Sequence, residues 1–325
     1  MQRQHLTFLT LGLAASLFMA SAQAAPTKPE CIAPAKPGGG FDLTCKLAQS
    51  ALLDSKAINT PMRVTYMPGG IGAVAYNSII DKRPADPNVV VAFSAGSLLN
   101  LAQGKFGKYN ADNVRWLTTI GTDYGMIAVR ADSPYKTLPE LMKAIKANPG
   151  KIVFGAGGTI GSQDWMKSAF IARQAGINHQ KMRYVAFEGG GEAFTALLGG
   201  HVHVVSGDLG ETVGQLDGKR VRVLAVMSDK RLPGRFSTIP TAKEQGYNIS
   251  WPTIRGFYVG PKVSDADYRW WLNAFQRSMA APGFAKLRES RGLFPYNVSG
   301  PALDAEVKKS VVRYKQLASE FGLTK

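Results

Sequence analysis

Ile32 to Cys45 reads IAPAKPGGGFDLTC: a short apolar segment, three consecutive glycines, and then apolar residues at helical spacing through Leu43, Leu47, Ala51 and Leu52. Gly38, Gly39 and Gly40 allow backbone turns and close approaches closed to other residues. Asp42 stands where the helix is expected to begin. A helix start offers free N–H groups and the positive end of the macrodipole, so this stretch is expected to seat an anion such as a carboxylate. The bland alternative is a tight turn.

The pattern recurs. Met67-Pro68-Gly69-Gly70-Ile71-Gly72 follows the expected strand Arg63 to Tyr66 and precedes a helix from Ala73 to Ile80. Gly155 to Ser162, GAGGTIGS, follows Lys151 to Phe154 and precedes a helix from Gln163 to Gln174. Ligands of open α/β sheets gather outside the carboxyl ends of strands, where all these turns lie.

Strand and helix signals alternate up to about Gly210 and predict parallel sheets covered by helices. Ser94 to Ser97, SAGS, is expected to be a polar loop after a buried strand, Val89 to Phe93. The extended apolar passages Trp116 to Arg130 and Arg255 to Gly260 are expected to cross between two lobes. Further strands are expected over Met182 to Phe187, His201 to Ser206 and Arg222 to Met227, with a helix from Glu192 to Leu198. Thr137-Leu138-Pro139-Glu140 forms a capping box. Two late helices, opened by Ser264 and following Pro301, carry apolar stripes that read as core. The expected division is an export signal over 1–25, a first lobe of 26–125 with 256–325, and a second lobe of 126–255.

Arg3, the apolar run Leu6 to Ala20 and Ala22-Gln23-Ala24 compose a secretory signal. The mature chain is therefore expected in the periplasm. Apolar content of 45% argues against disorder. The formal net charge of +16 is scattered, and export disfavours nucleic acid, leaving mild steering of anions. Cys31 and Cys45 are the two cysteines of an exported chain, on either side of the glycine turn, and are expected to be joined.

Enzymatic readings fare worse. Lys151 to Glu188 imitates a dinucleotide fingerprint, but Ile160 takes the place of its last glycine and Gly161 comes one position late. There is no Gly-x-Ser-x-Gly elbow. His201 and His203 lack a nearby third His or Cys ligand. Glu188, Glu192, Asp208 and Glu211 are carboxylates beside glycines, where helix capping accounts for them as well as acid–base work does. No catalytic residue, metal site or cofactor is expected.

Over nearly all of the mature chain the sequence resembles the substrate-binding proteins of tripartite tricarboxylate transporters, the Bug receptors. The resemblance lies in Pro37 to Asp42, Pro68 to Ala73, Gly155 to Ser162, Val185 to Gly189, Leu197 to Gly200, Leu224 to Val226 and Ile239 to Gly246. The CIAPAKPGGGFDLTCKLAQ opening and the SQDWM and EGGGE segments look like its citrate-type branch. The resemblance implies an α/β, two-lobed periplasmic binding protein of type II-like topology, with two parallel-rich sheets and two hinge crossings. It also implies capture of a small carboxylate, citrate or another tricarboxylate first, for delivery to membrane subunits. Carried over, the ligand contacts are Gly40, Phe41, Asp42, Ser94 and Ser97 in the first lobe, and Thr159, Gly161, Ser162, Phe187, Gly189 and Asp208 in the second. Phe187-Glu188-Gly189 departs from the family's Tyr-Lys-Gly. Asp208 sits awkwardly beside a trianion; in amino-acid-binding relatives an acid there meets an ammonium, so here it is expected to order backbone N–H groups or to be screened by a bound cation. A dicarboxylate or amino-acid receptor, a component reporting to a membrane sensor, and an exported enzyme are the alternatives.

Overall fold

The computed structural model describes residues 25–323, so all of the expected export signal except Ala25 lies outside the described residues. The first half of the chain forms β1 (Glu30–Ala33), α1 (Gly40–Asp54), β2 (Arg63–Tyr66), α2 (Ala73–Lys82), β3 (Val89–Ser94), α3 (Ala95–Ala102), β4 (Arg115–Arg130) and α4 (Leu138–Ala147). It continues with β5 (Val153–Gly157), α5 (Gln163–Gln174), β6 (Arg183–Phe187), α6 (Gly190–Leu198), β7 (Val204–Asp208), the short α7 (Val213–Asp217) and β8 (Val221–Val226). The chain returns through β9 (Pro252–Val259) and ends in α8 (Asp265–Ala280), α9 (Phe284–Ser290) and α10 (Gly300–Glu320).

The strand order is β2-β1-β3-β9-β4-β7-β5-β6, with β8 also on β4. β4 belongs to two sheets. Its N-terminal part pairs with β9 from Arg115↔Val259 to Tyr124↔Pro252. From Gly125 onward it pairs with β7, Gly125 opposite Asp208, and with β8. The crossing thus falls between Tyr124 and Gly125 and sets Asp123, Asp208 and Arg255 close to one junction. The sheets are mixed, where strand–helix alternation alone predicts parallel pairing. Strands joined through helices, β1 with β2 and β3, and β5 with β6 and β7, pair in parallel. The crossing strands β4 and β9 run against their partners, because each returns the chain from the other lobe.

Local chemistry sets the element ends. The Thr137 hydroxyl and Glu140 carboxylate cap α4 reciprocally, and Ser264 accepts the Asp267 N–H at 3.1 Å to start α8. Trp271 and Phe275 of α8 are fully buried against α1 and β9, with Phe275 stacked on Phe257 at 4.8 Å between centroids. Cys31 and Cys45 form a disulfide in this same core, tying β1 to α1 across the glycine turn.

Three local expectations are corrected. Ser94 to Ser97 is a helix start and not a loop: the Ser94 hydroxyl accepts the Gly96 N–H and the Ser97 hydroxyl accepts the Ser94 N–H, a reciprocal cap that opens α3. Gly155 and Gly157 lie within β5, and the turn is made by Gly158 and Gly161, both at positive φ. β7 begins at Val204, so His201 and His203 precede it, and the His203 Nδ1 accepts the Val153 N–H at 3.1 Å.

Candidate functional site

Four helix starts meet between the two sheets. Gly40 of α1 and Ser94, the cap of α3, come from the first lobe; Ser162, the cap of α5, and Gly190 of α6 come from the second. All four residues line one cavity of about 30 Å³, together with Ala35, Phe41, Gly189 and the acids Asp164, Asp208 and Glu211. N–H groups with no partner inside their own helices, and macrodipole ends concentrated at one place, make it favourable for negative charge. Glycine is required where the elements touch: a methyl on Gly39 would stand 3.2 Å from the Gly190 nitrogen, and one on Gly191 would collide with the Pro37 carbonyl.

The lobes meet at the rim as well. Gln103 donates to the Gly161 carbonyl at 2.7 Å, Lys105 to the Ile160 carbonyl at 3.2 Å, and the Lys36 N–H to the Glu188 carbonyl at 3.3 Å. Lys36 and Glu192 add an exposed ion pair at 2.6 Å.

Beneath the helix starts lies a buried network of ionisable side chains. Lys167 of α5 donates to Asp208 Oδ1 at 2.5 Å, to Asp164 Oδ1 at 2.8 Å and to the Gly207 carbonyl at 2.9 Å. Arg255 of β9 binds Asp123 Oδ2 through Nη2 at 2.8 Å and Asp208 Oδ2 at 3.0 Å. Asp208 also accepts from Thr253 and Gln163. Burial opposes the charge of Asp208, yet Lys167 and Arg255 hold its carboxyl below the usual range. Glu211 fares differently. Its Oε1 accepts the Gly40 N–H at 2.7 Å, while its nearest cationic group, Arg255, is 3.9 Å away. Burial first, then Asp208 and Asp164, push its carboxyl up to about 8.

The residues named from the sequence separate into groups. Gly40, Phe41, Ser94, Ser162, Gly189 and Asp208 surround the cavity. Thr159 and Phe187 line an adjoining cavity of about 190 Å³ with Lys105 and Glu188. Asp42 turns to its own loop, accepting from the Gly38 N–H at 2.8 Å, Tyr66 at 2.8 Å and Lys46 at 2.9 Å; it braces the glycine turn and is not among the residues lining the cavity. Ser97 caps α3, and Gly161 offers its carbonyl to Gln103. Asp208 meets the cationic side chains Lys167 and Arg255, neither of which the sequence suggested as its partner.

Lys167, Arg255, Gln163 and Asp123 were not named from the sequence. Asp164 and Lys167 are spaced as a helix-surface pair, and only the packing of α5 on β7 buries them. Arg255 left a fainter signal, a lone charge at the head of the apolar run Gly256 to Val259. For Glu211 the sequence suggests helix capping or acid–base work and gives no sign of its contact with Gly40.

This arrangement suits holding. Asp208 is fixed by two cations and two neutral donors, and the helix starts supply hydrogen bonds to a formed carboxylate without requiring proton transfer to it.

Comparison with known proteins agrees. The family model described as tripartite tricarboxylate transporter family receptor matches residues 48–323. A UPF0065 protein from the gbd 5′ region of Cupriavidus necator is 29% identical over 322 residues, covering 97% of this chain and 94% of the relative. The solved structure of the periplasmic binding protein BugD superposes with a TM-score of 0.83 at 21% identity, covering 93% of this chain and 100% of that one. MatC from Rhodopseudomonas palustris, solved with bound malate, gives 0.77 at 18% identity over 89% of this chain and 98% of its own. With the family match covering most of the described residues, the chain belongs to the tripartite tricarboxylate transporter receptor family, a family of periplasmic solute-binding receptors.

Proposed function

We propose that this protein captures a small carboxylate between its lobes, with one carboxylate group on the helix starts, and delivers it to the membrane subunits of a tripartite transporter. The observation that carries this reading is the convergence of the α1, α3, α5 and α6 N-termini on one cavity. A cavity of about 30 Å³ has room for roughly one water, so entry of the ligand requires the lobes, 26–125 with 256–325 and 126–255, to part about the β4 and β9 crossings. A ligand that touches both lobes then stabilises the closed form by its differential affinity. Citrate or another tricarboxylate is the finer assignment, supported by the family's transport chemistry.

The buried charges favour a second reading of the ligand. With Glu211 carrying a proton, the acids Asp123, Asp164 and Asp208 still outnumber Lys167 and Arg255, and every added carboxylate meets that excess. A dicarboxylate, the class of ligand seen in MatC, or an amino acid fits this balance better than a trianion. Titration calorimetry of the ligand-stripped protein with citrate, succinate and glutamate, with assay for product, decides. Binding without turnover supports the receptor; turnover, or no binding of any of the three, contradicts it.

A further inference from the structure

Resting on the carboxylate reading of this cleft, we infer that Glu211 is a built-in competitor: its side chain occupies the seat of the ligand carboxylate on α1 and is displaced on capture. Glu211 follows β7 in the second lobe and reaches across the cleft to the Gly40 N–H at 2.7 Å, the place the α1 start offers an incoming anion. One N–H serves two carboxylates only as a weaker shared bond, and the seated Glu211 side chain fills the space an incoming carboxylate needs. The side chain is 8% exposed, and its Oε2 is buried with no hydrogen-bond partner among the described residues. Gly190 gives it room, since a methyl there would collide with Oε2. An unsatisfied buried oxygen is costly, so this contact is weaker than the one a fully satisfied ligand carboxylate makes. Such a residue acts as an intramolecular rival and lowers the apparent affinity without touching the bound ligand.

The groups facing Glu211 are the Gly40 N–H of α1, Asp208 of β7, Asp164 and Lys167 of α5, and Arg255 of β9. Their net effect with burial is a carboxyl raised to about 8, so at pH 7 the seated side chain carries a proton. Displaced into water it returns to the ordinary glutamate range near 4.3. Capture therefore releases a proton between about pH 5 and pH 8, and affinity rises with pH over that window.

The test is titration of wild type, E211A and E211Q with citrate, succinate and glutamate, in buffers of different ionisation enthalpy. E211A is expected to bind the preferred acid at least about tenfold more tightly, the order of effect of removing a tethered rival. Wild type is expected to release a proton that E211Q, which keeps shape and acceptor, does not. Equal or weaker binding by E211A, or the same proton release from E211Q, overturns the competitor role while leaving the receptor in place. Absence of binding in all three proteins overturns the carboxylate reading and this inference with it.

Discussion

Lys167 and Asp208 are paired at 2.5 Å with both side chains shut off from solvent, joining α5 to the end of β7 directly beneath the converging helix starts. Removing one member of a buried pair leaves an uncompensated charge, at a cost of about 3–5 kcal/mol. K167M is therefore expected to lose stability of that order in urea unfolding. A loss under about 1 kcal/mol, as for an exposed pair, would show that the network does not hold the second lobe together.

The network was the least legible part of the molecule. Helix and strand were readable where period and punctuation agree: α5 spans the expected Gln163–Gln174, and β4 makes the expected crossing. The start of α5 after Ser162 was readable for the same reason, a capping hydroxyl before an apolar stripe, whereas α1 begins at Gly40, two residues before the expected Asp42. Ser94 to Ser97 misled because two serines and a glycine suit a loop as well as a reciprocal cap; Leu98, Leu99 and Leu101 behind them carried the helical signal. Lys167 and Glu211 could not be placed, since burial of a charge depends on which elements meet, and short-range patterns do not encode that.

Cys31 and Cys45 lie 14 residues apart with Cα atoms separated by 5.7 Å. Closing a loop of this length stabilises by about 3 kcal/mol in the chain-entropy model. C31S/C45S is expected to unfold at correspondingly lower urea. Unchanged stability would mean that the α1 turn is held by Asp42 and Tyr66 alone.

Gly40 admits the Arg255 guanidinium, which an added methyl would strike. G40A is thus expected to displace Arg255 and weaken carboxylate binding by about tenfold or more, or roughly 1.4 kcal/mol. Ser162→Trp, at the cap of α5, is expected to weaken it similarly by filling the cavity. Affinity unchanged in both variants would remove these helix starts from the site.

Stability should depend on pH through Glu211. Its raised carboxyl keeps a proton in the folded state that the unfolded chain gives up near pH 4.3. The resulting stabilisation is full below that pH and is lost as pH rises toward 8. Asp208 acts in the opposite sense: its lowered carboxyl contributes above the unfolded value near 3.9, and that contribution is lost in stronger acid. The thermal midpoint of wild type should fall between pH 5 and pH 8, and that of E211Q should fall less. Parallel curves for the two proteins would contradict the assignment.

The most direct measurement is a crystal structure of the protein grown with the carboxylate that binds best in titration. A ligand carboxylate on the Gly40 N–H, with contacts from Ser94 and Ser162 and with Glu211 displaced, is the expected result. A carboxylate bound elsewhere, with Glu211 still on Gly40, would contradict the helix-start site.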